Sequence, residues 1–139
     1  ERGGSQSVYH MHGKLLSARC AISQQTFDWS DSFDHTTKCP CCNRVTLRPD
    51  IVWFGEMPMY MEEIYDALSK ADVFIAIGTS GNVYPAAGFV QIAKESGAHT
   101  IEANLEPGVT NALFDESLTG PASHIVPQWV DQLISKYAL

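Results

Sequence analysis

Basic side chains and long apolar runs are both scarce in this 139-residue chain. It carries 9 Lys and Arg against 16 Asp and Glu, which gives a formal net charge of -7 at pH 7. Because nucleic-acid binding relies on clustered Lys and Arg, this balance argues against a nucleic-acid partner. The apolar run at 73–77 is too short to cross a bilayer, and the first residues form no secretory signal. We therefore expect a cytoplasmic protein without a membrane partner.

A complete G-x-G-x-x-G nucleotide signature is also missing, but one strand-to-helix junction has part of that chemistry. An apolar strand ends at Ile77 and is followed by Gly78, Thr79, Ser80 and Gly81. Glycine lets a backbone turn sharply and approach a ligand closely, and the two hydroxyls can bind one. The segment therefore indicates a nucleotide site, although such a turn also serves simply to reverse the chain.

A second polar segment, Asn104-Leu105-Glu106, follows the next predicted strand. Polar groups at the ends of such strands often hydrogen-bond ribose hydroxyls. If the two strands are neighbours, one ligand can touch both Thr79 and Asn104. The alternative for Glu106 is a solvated turn, since Pro107 and Gly108 follow it.

Strand and helix patterns alternate from Ile51 to the end of the chain. Strands are predicted at 8–11, 51–54, 73–77, 99–103 and 125–126, and helices after Pro58, Pro85 and Pro127. This alternation predicts an α/β fold with a Rossmann-like parallel sheet.

Cysteine is rare and clustered, with three of four residues in Cys39-Pro40-Cys41-Cys42. Cys20, Cys39 and Cys42 are candidate zinc ligands, because the thiolates of a C-x-x-C turn suit tetrahedral zinc. The partner half is incomplete, since Ser23 stands where a fourth cysteine is expected, and Cys41 is a substitute. We expect a small, loop-rich zinc module at 20–46, with free thiols as the alternative.

Two histidines occur in His10-Met11-His12-Gly13. Histidine titrates near neutral pH and is the usual general base. The alternatives are surface histidines or a metal-binding pair.

The segment Val52-Trp53-Phe54-Gly55-Glu56 combines β-propensity with glycine. A strand of this kind can pair with an extended peptide. The alternative is a core strand that happens to end in glycine.

Taken together and in this order, these segments resemble the sirtuins, NAD-dependent protein-lysine deacylases, and are most similar to the bacterial CobB-type, class III-like members. The resemblance covers nearly the whole chain. It is carried by H-M-H-G at 10–13, L-R-P-D-I-V-W-F-G-E at 47–56, G-T-S-G at 78–81, V-Y-P-A-A-G at 83–88, N-L-E-P at 104–107 and G-P-A at 120–122.

The resemblance implies a role for each matching residue. His12 takes the place of the catalytic base, which removes a proton from a ribose hydroxyl after the acyl-lysine oxygen has displaced nicotinamide from NAD. The products are deacylated lysine and O-acyl-ADP-ribose. Positions implied to hold NAD are Gly78, Thr79, Ser80, Asn104, Leu105, Glu106 and Ala122. Positions implied to hold the acyl-lysine peptide are Val52, Phe54, Gly55, Glu56, Val83 and Tyr84, and the implied structural zinc lies at Cys20, Cys39 and Cys42, with Cys41 as a substitute.

Three sirtuin features do not occur in the sequence: the Gly-Ala-Gly-x-Ser phosphate loop, the Tyr and Arg pair of the acyl pocket, and the Gln-x-Asn-Ile-Asp segment. We therefore expect the C-terminal portion of a sirtuin that is inactive alone and self-associates through an uncovered face. The zinc module at 20–46 divides the chain, and we assign residues 1–19 and 47–139 on either side of it to the Rossmann-like domain. The alternatives are a non-catalytic zinc- or partner-binding scaffold and a binding protein for another nucleotide.

Overall fold

The computed structural model describes residues 1–137, and the chain divides into two compact units, residues 1–62 and 63–139. The first unit contains an antiparallel sheet with strand order β2-β1-β3. Its strands are β1 (Gly13–Cys20), β2 (Thr26–Asp28) and β3 (Leu47–Ile51). Buried side chains are those of Ser17, Ala18, Cys20, Cys39 and Asp50.

The strand predicted at 8–11 is wrong, because the chain turns there and β1 begins only at Gly13. The Met11 N–H bonds to the Tyr9 carbonyl, and the Gly13 N–H bonds to the His10 carbonyl. Gly13 has φ +93, and a Cβ atom on it would lie 2.0 Å from the Asp50 carbonyl oxygen. Only glycine fits this close approach of β1 to β3.

The run predicted as a strand at 51–54 is also displaced. The strand β3 ends at Ile51, and a turn follows in which the Glu56 N–H bonds to the Trp53 carbonyl. The β-branched Ile51 and Val52 therefore lie at the end of a strand rather than at its start.

The second unit contains a parallel sheet with strand order β4-β5-β6. Its strands are β4 (Val73–Ile77), β5 (His99–Asn104) and β6 (Glu116–Thr119), with helices α1 (Met61–Ser69), α2 (Phe89–Glu95) and α3 (Ala122–Tyr137). Short 3-10 turns lie at Ala86–Gly88 and Asn111–Leu113. The predicted α/β class with a Rossmann-like parallel sheet is confirmed.

Helix α2 covers the sheet with the face that its spacing predicts. Phe89, Val90 and Ala93 are buried on it, and Ile101 is fully buried on β5. Gly97 ends the helix as predicted: its N–H bonds to the Lys94 carbonyl, and the Ala98 N–H bonds to the Ala93 carbonyl. This is the Schellman pattern, which satisfies the last carbonyls of the helix.

The last predicted strand, at 125–126, is wrong, because both residues lie inside α3. The third parallel strand is instead β6, which the sequence pattern does not reveal. Helix α3 also begins five residues before the predicted start at Pro127, so that proline lies inside the helix. The Ile125 and His124 N–H groups bond to the Pro121 carbonyl and form the first turn. Here the helical context overrides the β-propensity of Ile125 and Val126.

Within residues 1–137, every helix is too short or too polar to traverse a lipid bilayer. The three-part division at 19/20 and 46/47 stays a prediction.

Candidate functional site

The carboxyl end of the parallel sheet brings two predicted nucleotide residues into contact. Gly78 follows β4, and its N–H bonds to the Ala103 carbonyl at 3.0 Å. Asn104 ends β5, and its Nδ2 donates to the Thr79 carbonyl at 2.8 Å. The expected adjacency of the Thr79 and Asn104 segments is therefore present.

The remaining predicted nucleotide residues surround this pair of strand ends. Leu105 and Glu106 are exposed immediately after β5, and Ser80 is exposed after Thr79. Ala122 is the first residue of α3, two positions after Gly120, whose N–H bonds to the Asn104 carbonyl at 2.9 Å. The same edge of the sheet therefore presents backbone, hydroxyl and carboxamide groups to a ligand.

The Asn104 carboxamide has a defined orientation, because both partners of its nitrogen are acceptors. Nδ2 donates to the Thr79 carbonyl and, at 3.1 Å, to Oε1 of Glu102. Within residues 1–137 no hydrogen bond reaches Asn104 Oδ1. An acceptor at the end of a parallel strand suits a sugar hydroxyl, so these residues fit the ribose of NAD.

Sequence reasoning missed Glu102, although its position gives a signal. It is an acidic residue in the middle of a central strand, and it is 2% exposed. A buried carboxylate needs hydrogen-bond donors, and Glu102 receives them from Asn104, Gly108 and Asn111.

In the first unit, the backbone connects the predicted base to the predicted peptide segment. The Val52 N–H bonds to the His12 carbonyl at 3.0 Å, and the Met59 N–H bonds to the Met11 carbonyl at 2.9 Å. His12 is exposed. Its imidazole makes no hydrogen bond or ion pair with the described residues.

The predicted peptide segment at 52–56 is shaped by a residue that sequence reasoning did not select, Arg48. Its guanidinium bonds to both Glu56 carboxylate oxygens, at 2.6 and 2.9 Å, and to the Ile51 carbonyl at 2.9 Å. Glu56 in turn accepts the Trp53 N–H at 3.0 Å. The Arg48 hydrogen bonds lower the pKa of Glu56 to about 2.

This arrangement turns apolar side chains outward. Phe54 is fully exposed and Trp53 is 52% exposed, while Gly55 lies between Phe54 and Glu56 in the turn. In the second unit, the predicted peptide residues Val83 and Tyr84 are likewise 57% and 79% exposed.

The four cysteines form one cluster. Their Sγ atoms all lie within 4.8 Å of one another, with Cys39 and Cys41 at 3.3 Å and Cys20 and Cys42 at 4.0 Å. Four sulfurs at Zn–S bonds of about 2.3 Å stand roughly 3.8 Å apart in a tetrahedron, so this set fits zinc. Cys41 therefore joins the three predicted ligands, and Ser23 bonds to it at 3.3 Å.

The surroundings of the thiols differ. Hydrogen bonds from Ser23 and Thr46 lower the pKa of Cys20 to about 5, and Thr46 lowers that of Cys42. Ser23 also lowers the pKa of Cys41, but the neighbouring sulfur of Cys39 and desolvation outweigh it and raise the value to about 12. Adjacent sulfurs resist simultaneous ionisation, and a bound cation removes that resistance.

The profile of the Sir2 family matches residues 1–85. The chain belongs to the Sir2 family. An NAD-dependent protein deacylase of Shigella flexneri is 57% identical over 135 residues, which is 96% of this chain and 50% of that protein. One of Leishmania major is 55% identical over 138 residues, 98% of this chain and 57% of that protein. The chain thus spans about half the length of the curated Sir2 relatives it matches.

Solved Sir2 structures match over nearly the whole chain. A Sir2 homologue in complex with NAD has a TM-score of 0.87 at 33% identity, covering 97% of this chain and 54% of that one. Sir2Af2 bound to a myristoylated histone peptide has a TM-score of 0.80 at 29% identity, covering 99% and 61%.

Proposed function

We propose that this chain is the C-terminal portion of an NAD-dependent protein-lysine deacylase, which transfers the acyl group from lysine to ADP-ribose and releases nicotinamide. The observation that carries the proposal is the hydrogen bond from Val52 to His12, which ties the candidate base to the candidate peptide segment. Sir2 membership and relatives named NAD-dependent protein deacylase support it.

In this proposal each group of residues has one task. NAD supplies the ribose carbon that receives the acyl oxygen and the nicotinamide that leaves. His12 accepts the proton of a ribose hydroxyl, because an imidazole ring nitrogen can act as a general base. The residues assigned to NAD are Gly78, Thr79, Ser80, Asn104, Leu105, Glu106 and Ala122.

We assign the acyl-lysine peptide to Val52, Phe54, Gly55, Glu56, Val83 and Tyr84. Exposed apolar side chains suit contact with an extended peptide. The four cysteines hold structural zinc, which cross-links the loop-rich module and takes no part in the chemistry.

The test joins the N-terminal half of the Shigella flexneri relative to this chain and measures nicotinamide release with an acyl-lysine peptide. We expect peptide-dependent release that His12→Ala lowers by about 10²- to 10⁴-fold. His35→Ala, in an exposed loop, is the matched control. Release that survives His12→Ala would contradict the assignment of the base, and no release at all would favour the non-catalytic scaffold.

The same joined protein tests the acyl group. We propose both deacetylation and desuccinylation, because the resemblance is to the CobB-type, class III-like members. Acetyl and succinyl peptides are compared by kcat/KM, and a lack of activity on either peptide would contradict the proposal.

Alone, the 139-residue chain is proposed to bind NAD weakly and to lack activity, because its sequence contains no phosphate-binding loop of the Gly-Ala-Gly-x-Ser type. Calorimetry is the measurement. Tight NAD binding by this chain would contradict the proposal.

We also propose self-association through the outer edge of β4. Among residues 1–137 this edge pairs with no strand, and Val73 and Ile77 are 40% and 46% exposed. Unpaired strand edges readily recruit another chain. Light scattering is expected to show a mass that rises with concentration, and a constant monomer mass would refute this. We further propose a cytoplasmic protein that acts on proteins, and its net charge of -7 argues against a nucleic-acid partner.

A further inference from the structure

Glu102 is the only buried carboxylate among the described residues of the second unit. It lies on the same strand as Asn104, one of the proposed nucleotide residues. It is 2% exposed on β5, and Asn104 follows two residues later on the same face of the strand. No role in the proposed reaction accounts for a carboxylate at this depth.

Its oxygens collect hydrogen bonds from the loop that follows β5. Oε1 and Oε2 accept the Gly108 N–H at 3.1 and 3.2 Å, and Oε2 accepts Nδ2 of Asn111 at 2.7 Å. Oε1 also accepts Nδ2 of Asn104 at 3.1 Å. The carboxylate therefore fixes both the start of this loop and its turn back toward β6.

The Asn104 bond has a chemical consequence for the ligand. The amide nitrogen has two hydrogens, and the acceptors of Glu102 and Thr79 use both. The group left for a ligand is Oδ1, which only accepts hydrogen bonds. A hydroxyl can donate to it, whereas an ionised phosphate cannot.

We propose that Glu102 is a positioning residue that holds the Asn104 carboxamide with Oδ1 toward the ligand, so that this position selects a sugar hydroxyl. The inference rests on the proposed function, because that function supplies the nucleotide. It goes beyond it by naming the residue that sets the polarity of the contact.

Two variants remove the bond in different ways. Glu102→Gln replaces one acceptor oxygen with a donor that faces other donors. Gly108→Ala keeps the carboxylate but puts a Cβ 2.4 Å from Oε1, with no other atom closer than 3.4 Å. Glu63→Gln, exposed on α1, is the matched control.

The first measurement needs no ligand. In NMR spectra of the 139-residue chain, we expect the Asn104 side-chain amide protons to exchange at least about tenfold more slowly than those of exposed Asn82. Both variants should remove this difference, and Glu63→Gln should retain it. Rapid exchange in the unaltered chain, or protection that survives both variants, would overturn the positioning role.

The second measurement uses the protein joined to the N-terminal half of the Shigella flexneri relative, and compares AMP, which has one ribose, with its 2′,3′-dideoxy analogue. In the unaltered chain, we expect removal of the hydroxyls to weaken binding about three- to tenfold, the usual effect of one hydrogen bond. With Glu102→Gln the loss should fall below about twofold, because the two changes share one interaction. An undiminished loss would overturn the selection of a hydroxyl. If AMP shifts no resonance in this unit, the proposed nucleotide site fails, and the exchange measurement still decides the role of Glu102.

Discussion

The two units are stabilised by different means. In the first, the buried apolar residues are Ala18, Cys20 and Cys39, and the buried polar ones include Asp50, to which Arg19 Nε donates at 2.8 Å. In the second, helix and strand residues such as Phe89, Val90 and Ile101 form an apolar core. A unit of about 60 residues with so little apolar burial depends on a metal or cross-link, whereas the parallel sheet does not.

Removal of the metal tests this contrast with the largest expected effect. Cys39→Ser should release zinc and abolish slow amide exchange in β1 and β3, while β4, β5 and β6 keep theirs. The reason is that binding of structural zinc contributes about 10–16 kcal/mol to the folding of small domains, which exceeds the free energy of unfolding of most such units. Ser32→Ala, exposed in the same unit, is the control. Intact protection of β1 in the metal-free variant would show that the first unit stands without zinc.

A substitution that creates a cavity in the second unit tests whether an apolar core stabilises that unit. Ile101→Ala should lower the free energy of unfolding by about 2–5 kcal/mol, because Ile101 is fully buried. The loss should be confined to the second unit, and denaturant melts followed by NMR measure it. Ile134→Ala, 58% exposed, should cost less than about 0.5 kcal/mol. Equal losses in both variants would argue against an apolar core at this place.

Gly13→Ala tests the close approach of β1 to β3. We expect a loss of at least about 1–3 kcal/mol in the first unit alone, since φ is positive and the Asp50 carbonyl blocks a Cβ. Gly3→Ala, with no atom within 4 Å of its Cβ, is the control. Both are compared by thermal melting, and equal melting temperatures would contradict the packing described.

Acid should produce the smallest effect. Because the folded pKa of Glu56, about 2, lies below its ordinary value of 4.5, its contribution to stability is present above pH 4.5. That contribution is lost as pH falls toward 2. Titration of the Glu56 carboxyl resonance measures it, and Arg48→Gln should return the pKa toward its ordinary value while Arg44→Gln leaves it low. A Glu56 that titrates normally beside Arg48 would exclude the ion pair.

The sequence predicts the second unit better than the first, for a physical reason. Local periodicity marks β4, α2 and β5, and the rule that parallel strands end at one edge predicts the meeting of Thr79 and Asn104. In contrast, β1 and β3 pair residues that are distant in the chain, such as Gly13 with Ile51, and they alternate poorly, so no local pattern reveals them.

The candidate site residues also differ in how well the sequence predicts them. Motifs identify residues that face a ligand, such as His12 and Asn104, but not those that hold them in place. Glu102 and Arg48 act through contacts made only in the fold. The sequence predicts Cys41 only as a substitute for the fourth zinc ligand, because spacing does not show which sulfurs converge.

Between two of its paired positions, β1 contains more residues than β3. Gly13 is opposite Ile51 and Ala18 is opposite Pro49, so five steps on one strand match two on the other. The extra residues of β1 do not pair with β3, and Leu15 and Leu16 among them are 83% and 58% exposed. Leu15, the more exposed of the two, therefore suits attachment of a fluorescent label that leaves both pairs of Cα partners in place.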